Sequence, residues 1–363
     1  MKILQLIQKP QLRGAEIFAC QLAKAHTSKG HSTVIVTLFE GNAILPFDGE
    51  IIHLGLSKKI RFVDWRGWKK LAQLINKENP DILQANAGDT LKYAVISKLL
   101  FQWKAPIVFR NASTVSLYIK NPWVKRWYTF LYRKTDYIIS VSDYTRIDFL
   151  SVFPVASPKI GVIPIGIDAS SFQSKKKPMP NRPVLLHVGG FTFEKNHMGL
   201  IRIVEQVSNQ YPDIELWLVG DGPLRSNVEQ HVRSTSIVNK VKFWGYQSNP
   251  AEFFQQATLF LLPSIIEGLP GVILESFYCK IPVVAYNAGA IRDLVKADET
   301  GFLIELDDET GFANTVIKVL QDNPDLSGYI EKAHRLVTEN YTISKVADLF
   351  EASYEKLLKN KNG

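Results

Sequence analysis

The sequence predicts two doubly wound α/β domains joined by a short linker, and three observations carry that prediction. Apolar, strand-like runs alternate with helical patterns through the first half, residues 1–167. Alternation of this kind implies a parallel sheet with helices on both faces. The pattern breaks at 169-ASSFQSKKKPMPNRP-183, which is polar, cationic and proline-rich, as a linker should be. It then resumes from residue 184, and 363 residues comfortably hold two such domains.

The elements follow in order. KILQLIQ reads as the first strand, 14-GAEIFACQLAKAHTSKG-30 as a helix ending at Gly30, and STVIVTLF as the second strand. Next come a helix around 65–79, the strand DILQAN, a helix from about 89 to 102 and the strand PIVFRN. A helix around 122–134 and the strand DYIISVS follow, and the pattern breaks after 162-VIPIGID-168. In the second series VLLHVGG, IELWLVG and VKFWG are strands, with helices at 196–210, 223–235 and 249–256 between and after them. Then 258-TLFLLP-263 and 281-IPVVAY-286 read as two more buried strands, and a helix-rich tail covers roughly 310–360. Ligands of such sheets sit at the carboxyl ends of the strands, and a two-domain version usually binds in the cleft between domains.

Composition narrows the function classes. The chain is 46% hydrophobic and 21% charged. No run approaches the roughly 18 apolar residues that span a bilayer, and MKILQLIQKPQLRGAE reads as a first strand rather than a signal peptide. Cys20 and Cys279 lie far apart in apolar segments, which fits buried thiols in a reducing compartment. The seven histidines form no metal-ligand cluster and no Asp-x-Asp occurs, so no bound metal is expected. The net charge of +8 is uneven. Residues 1–180 carry 26 Lys and Arg against 12 Asp and Glu, and residues 181–363 carry 17 against 23. The basic half is expected to meet something negative.

The stretch 264-SIIEGLPGVILESFYCKIPVVAY-286 carries the chemistry. Glu267 lies just past the carboxyl end of a strand, at the expected binding rim. The helix after it starts near Pro270, a common first-turn position, and its free N–H groups can hold a phosphate. Glu275 lies a turn or so inside that helix, and a carboxylate can accept from two vicinal sugar hydroxyls at once. The plainer alternative has Glu267 capping the helix and Glu275 solvated. His187, inside an apolar strand, reads as a core residue, and His197 as part of a helix start. Gly220, Gly222 and Pro223 make GxGP rather than GxGxxG, and no GxxxxGK[ST] loop occurs, so nicotinamide and phosphate-loop fingerprints are both absent.

SxxEGLPGVxLES followed by PVVAYNAGAIRDLV resembles the C-terminal signature of the family-4 retaining glycosyltransferases, which have the GT-B fold. The resemblance runs through nearly the whole chain, in order. MKILQLI…RGAE…LAKAHTSKGHSTVIVT, DYIISVSDYTRIDF, KIGVIPIGIDASSF, VLLHVGGFTFEKNH, LWLVGDGP, VKFWGY and NYTISKVADLFEASYEKLL each look like the family's successive segments. It implies an α/β GT-B architecture, two doubly wound Rossmann-like domains facing a central cleft: an acceptor-binding N-terminal domain at 1–167, a linker at 168–183, a nucleotide-sugar-binding domain at 184–340, and a terminal helix at 341–363 packing back on the N-terminal domain. It implies that Glu267 contacts the transferred sugar, Glu275 holds the ribose, and Lys195 neutralises the diphosphate. Gly268 and Leu269 would lie against the sugar or diphosphate, Gly14 and Ala15 would approach the phosphates, and Gly245 and Tyr246 would contact the base. The chain departs from the family at Gly190, where arginine is usual, and at Asn86 and Asn111, where histidine is common. Arg13 stands where the family often has glycine, and could supply the missing cation or narrow the acceptor side.

The function so implied is transfer of a hexosyl or N-acetylhexosaminyl group, with retention, from a nucleoside-diphosphate sugar, expected to be UDP-linked, to a glycan or lipid-linked acceptor in cell-surface polysaccharide or lipopolysaccharide synthesis. No metal cofactor is implied. An epimerase, or a sugar-nucleotide-binding protein without catalysis, is the alternative on the same fold. The segments 58-KKIRFVDWRGWKK-70 and 120-KNPWVKRWYTFLYRK-134 place tryptophans among cations, with Trp65 and Trp68, and Trp123 and Trp127, spaced to share helix faces. That composition suits the headgroup region of an anionic membrane, so a peripheral position on the inner face of the cell membrane is expected. A core role for the tryptophans is the alternative, and no nucleic-acid-binding motif occurs.

Overall fold

The structure, a computed structural model, describes residues 1–155, 157–172, 180–297, 299–321 and 325–362. Two compact units divide the chain: Met1–Gly166 with Ile343–Gly363, and Ile167–Thr342. Each is built around one wholly parallel sheet.

The first unit contains β1 (Lys2–Ile7), β2 (Ser32–Phe39), β3 (Glu50–Leu56), β4 (Ile82–Ala85), β5 (Ile107–Asn111), β6 (Tyr137–Ser140) and β7 (Ile160–Val162), in the order β3-β2-β1-β4-β5-β6-β7. The central strands are buried apart from the first residue of β1 and of β2, which is why they read as continuous apolar runs rather than alternating ones. Among the elements that escape the sequence pattern are β3, β7 and the helices Val115–Tyr118 and Asp143–Val152. β3 and β7 are edge strands, and β3 is mostly half-buried or exposed, so neither shows a clear apolar run. The helix Gly14–Ser28 covers one face, together with the last helix, Ile343–Asn362. Val346, Ala347, Phe350 and Tyr354 are buried against Ile3, Phe18 and Leu22. His26 Nε2 donates to the Ala347 carbonyl at 3.4 Å, and Lys29 pairs with Asp348. The end of the chain is therefore part of the first unit's core.

The second unit contains β8 (Val184–Val188), β9 (Glu215–Val219), β10 (Val241–Gly245), β11 (Leu259–Leu262), β12 (Val283–Tyr286) and β13 (Phe302–Ile304), in the order β10-β9-β8-β11-β12-β13. The chain leaves β8 towards β9 on one side and leaves β11 towards β12 on the other. The crevice between the carboxyl ends of β8 and β11 is thus this sheet's switch point. Of the linker expected at 168–183, residues 173–179 lie outside the described residues. Its first turn, Ala169–Phe172, is docked on the second unit, where the Phe172 ring meets Phe254 and Tyr278.

Candidate functional site in the second unit

The loops after β8 and β11 meet at the switch point. The first carries 189-GGFTFEK-195 and the second 263-PSIIEGLPG-271. Ile265 N–H donates to the Glu194 carbonyl at 2.9 Å. Asn196, in the left-handed region with φ 51°, accepts from Gly199 N–H and donates through Nδ2 to the Pro263 carbonyl, each at 3.2 Å. One asparagine thus caps the helix His197–Ser208 and ties the two loops together. The result is an ion pair: Lys195 Nζ donates to Glu267 Oε1 at 2.6 Å, with the Glu267 residue 8% exposed. Glu267 does not cap the following helix. That helix, Gly271–Tyr278, begins after Pro270 with no side-chain cap, so its first N–H groups have no side-chain acceptor.

Close backbone packing fixes Glu267. Gly289 has φ +59°, and a Cβ there would stand 2.0 Å from the Glu267 carbonyl oxygen. Alanine at this position is expected to cost the second unit about 2 kcal/mol or more, from left-handed strain and the forced retreat of Glu267. Denaturant unfolding checks this, and an unchanged midpoint would show that the loop has slack.

Behind Lys195 lie two buried histidines. His187 bonds the Leu261 carbonyl through Nδ1 at 2.9 Å. Its ring meets His197 edge-on at 4.8 Å, and His197 stacks on Phe191 at 4.0 Å. Burial pushes His187 down to about 4 and His197 down to about 2. Both are neutral at pH 7, so Lys195 has no cationic neighbour in them. His187 is a core residue, and the placement of His197 at a helix start is equally plain.

Glu275 is half-buried on the helix Gly271–Tyr278, and among the described residues its carboxylate has neither ion pair nor hydrogen-bond donor. Burial alone pushes it up to about 7, from an ordinary 4.5. A carboxyl raised in this way favours folding fully below pH 4.5, and that contribution is lost as the pH rises through about 7. Glu275→Gln is therefore expected to stabilise the chain at pH 8.5 by about 1–3 kcal/mol and to do little at pH 4.5. Thermal melts of both proteins at the two pH values check the sign.

The rim continues past β9 and β10. Gly220 N–H donates to the Gly245 carbonyl at 2.8 Å. Arg225, which sequence inspection passed over, brings Nη1 to within 3.2 Å of where a Cβ on Gly245 would stand. It pairs with Asp221 at 3.4 Å and Glu229 at 2.7 Å. A Cβ on Gly190 would meet only Asp221 O at 3.5 Å and Thr192 Cγ2 at 3.9 Å, so the position has room for a side chain it lacks. Tyr246 is exposed beside Gly245, and Gly268 and Leu269 follow Glu267 in the same loop.

In the first unit, Arg13 and Gly14 are exposed at the start of the helix Gly14–Ser28, whose N-cap side chain makes no bond, and Ala15 is half-buried. A Cβ on Gly14 would meet nothing within 4 Å. Asn86 and Asn111 are internal. Asn86 donates to Gln5 Oε1 at 2.9 Å and accepts from Gln84 Nε2 at 3.0 Å. Asn111 donates to Ser140 Oγ at 3.3 Å and to the Thr145 carbonyl at 3.4 Å. Next to Asn111, Arg110 is 3% exposed, its guanidinium over the Phe18 ring at 4.2 Å, and its Nε and Nη1 have no partner among the described residues. Among the described residues no group of three or more His, Cys, Asp and Glu is arranged to hold a metal ion.

Two family models account for most of the sequence. The Glycosyltransferase Family 4 model matches residues 12–171, and the Glycosyl transferases group 1 model matches residues 169–341. The chain belongs to the family-4 glycosyltransferases. Among curated relatives, this glycosyltransferase is 25% identical to the N-acetyl-alpha-D-glucosaminyl L-malate synthase of Bacillus anthracis, over 98% of this chain and 97% of that protein. It is 24% identical to the UDP-Gal:alpha-D-GlcNAc-diphosphoundecaprenol alpha-1,3-galactosyltransferase of Escherichia coli, over 82% and 81%. Its fold is that of Anabaena HepE in complex with UDP and glucose, at a TM-score of 0.86 and 19% identity, covering 98% of this chain and 99% of that one. The sucrose-phosphate synthase of Thermosynechococcus elongatus shares it as well, at 0.82 and 18%, covering 99% of both. The architecture is GT-B: two parallel-sheet, Rossmann-like α/β domains. Of the residues expected at the glycosyltransferase's site, the structure joins Lys195 and Glu267 directly and sets Gly268 and Leu269 in the same loop. It places Arg13, Gly14 and Ala15 in the other unit and gives Asn86 and Asn111 internal bonds.

Proposed function

We propose that the enzyme transfers a sugar, with retention at the anomeric carbon, from a UDP-sugar to a glycan or lipid-linked acceptor in cell-surface glycan synthesis, working at the inner face of the cell membrane. The observation that carries it is the Lys195–Glu267 pair at the switch point, beside an uncapped helix start and an unpartnered Glu275. One cation and free amides suit a diphosphate. One carboxylate beside them suits sugar hydroxyls, and a second without a partner suits a ribose. In the bound state Lys195 turns from Glu267 to the diphosphate, and Glu267 accepts from the sugar. Gly268 and Leu269 line the sugar and diphosphate, and Gly245 and Tyr246 face the base. In the first unit a Cβ on Gly14 would meet nothing within 4 Å, and the helix start that it shares with Arg13 and Ala15 suits a phosphate. The gap left at Gly190 leaves Lys195 without the arginine usual beside it. The first unit takes the acceptor.

The bond between the anomeric carbon and the diphosphate oxygen breaks with its electron pair going to the diphosphate. The acceptor oxygen bonds the same face, and its proton passes to the departing phosphate oxygen. No metal is needed in this scheme, because Lys195 and the helix amides meet the developing charge. Uridine rather than another base, and a hexosyl or N-acetylhexosaminyl group, are supported by the N-acetylglucosaminyl and UDP-Gal chemistry that the relatives are named for and by the UDP and glucose bound to HepE. Incubation with nucleotide sugars and a lipid extract tests the reading. Free nucleoside diphosphate should appear only with acceptor present, and the product should keep the donor's anomeric configuration by NMR. Glu267→Gln is expected to leave bare UDP binding near wild type while cutting turnover about 10²-fold. Equal losses of UDP and UDP-sugar affinity would place Glu267 on the nucleotide instead.

A further inference from the structure

The basic, aromatic segments of the first unit are not absorbed by sugar transfer. They form one face. Trp123, Trp127 and Phe130 recur at i, i+4 and i+7 along the helix Pro122–Arg133 and are 79%, 37% and 39% exposed. They make one ridge within about 60° of the helix circumference, and Trp127 and Phe130 stack at 5.8 Å. Tyr128, Leu131 and Tyr132 on the opposite side pack inward. Arg126 and Arg133 flank the ridge, exposed and without an ion-pair partner among the described residues.

The segment 58–66 joins this helix through the start of the helix Gly88–Phe101. A Cβ on Gly88 would stand 2.7 Å from Tyr128 Oη. Arg61 Nε lies 3.5 Å from Asp89, and Lys92 Nζ sits 4.1 Å above the Phe62 ring. Around that junction Phe62, Val63 and Trp65 are 63%, 77% and 55% exposed, among Lys58, Lys59 and Arg66. Of the 22 large hydrophobics that are exposed among the described residues, 12 fall between residues 60 and 130. The shared exposed face expected of Trp65 and Trp68 is not observed. Trp68 is not on this surface, because it packs against the first unit's core, and only Trp65 of that pair is exposed.

We infer that this face, built from residues 58–66 and the helix Pro122–Arg133, docks the enzyme on an anionic lipid bilayer. Partly exposed aromatic rings beside cations match a headgroup region of opposite charge. A nucleic acid would use the cations but would not require an outward apolar ridge. Among the described residues no helix is long and apolar enough to cross a membrane, so contact through this face would be peripheral. The inference extends the reading of a lipid-linked acceptor but is tested without it, because the vesicles used hold neither acceptor nor nucleotide sugar.

The full chain is sedimented with vesicles of phosphatidylcholine, alone or mixed with phosphatidylglycerol, at low and at physiological salt. Two variants accompany it: Arg126→Glu with Arg133→Glu, and Trp123→Ser with Trp127→Ser. The wild type should bind the anionic vesicles at least about tenfold tighter than the neutral ones, and each variant should lose about tenfold. Salt should weaken binding, because screening acts over about 8–10 Å. Brominated lipid should quench wild-type tryptophan emission and quench the tryptophan variant less. Wild type ignoring anionic vesicles at low salt overturns the inference, as does a variant that binds like the wild type. So does an RNA oligonucleotide that displaces the vesicles and binds the tryptophan variant undiminished. The wild-type comparison of lipids and the quenching decide the matter even if a variant fails to fold.

Discussion

Replacing Lys195 by alanine is expected to lower kcat by about 10²- to 10³-fold, with a smaller change in KM. The diphosphate gains charge as the sugar–oxygen bond breaks, so a cation beside it is worth more in the transition state than in the ground state. The structure adds a complication. Without Lys195, the Glu267 carboxylate is left 8% exposed and unpaired. Stranding a buried charge typically costs about 3–5 kcal/mol, so part of any loss of activity could come from unfolding. The double variant Lys195→Met with Glu267→Gln separates the two effects, because it removes both charges. It should melt near the wild type and remain inactive. A Lys195→Ala enzyme with intact kcat and only a raised KM would show that the lysine merely anchors the donor. Stabilisation of the leaving group would then fall to the helix start after Pro270.

Glu275→Ala is expected to weaken UDP binding about 10- to 100-fold, the loss of a charged partner for two hydroxyls. The position of this carboxyl adds a pH signature. Burial pushes it up to about 7, so near neutrality it is only partly ionised. A ribose whose hydroxyls donate needs the ionised form. The affinity for a UDP-sugar, whose diphosphate carries no proton in this range, should therefore rise between pH 6 and pH 8. Titration calorimetry across that interval should give a rising affinity for the wild type and a flat, weaker one for Glu275→Gln. A flat wild-type profile, or a Glu275→Ala enzyme that binds UDP normally, would remove Glu275 from the nucleotide site.

The parallel-sheet strands were legible because strands buried on both faces are continuous apolar runs, as in STVIVTLF and TLFLLP. β3, β7 and β13 were not, because strands of three residues, or at an exposed sheet edge, carry no such run. Glu267 and Lys195 were each found through the family's motifs. Their pairing was not, because it depends on two loops separated by 72 residues meeting at the switch point. Asn86 and Asn111 lie at strand ends where histidine is common in the family, and only tertiary contacts show that both amides are used internally. Arg110 gave no signal at all, since a single arginine in FRNAS says nothing about burial. Trp65 and Trp68 share a helical spacing, and only packing separates the exposed ring from the one in the core.

The second unit's Lys195, Glu267 and Glu275 are proposed to hold a nucleoside diphosphate sugar. A thermal-shift screen of the full chain against UDP, GDP, ADP and TDP and their glucose conjugates tests that proposal most directly. A ligand at 100 times its dissociation constant stabilises its target by about 2.7 kcal/mol. A clear upward shift is expected with UDP and UDP-glucose, smaller or no shifts with the other bases, and a clearly smaller shift with UDP in Glu275→Ala. No shift with any nucleotide at millimolar concentration, or a UDP shift that survives unchanged in Glu275→Ala, would contradict it.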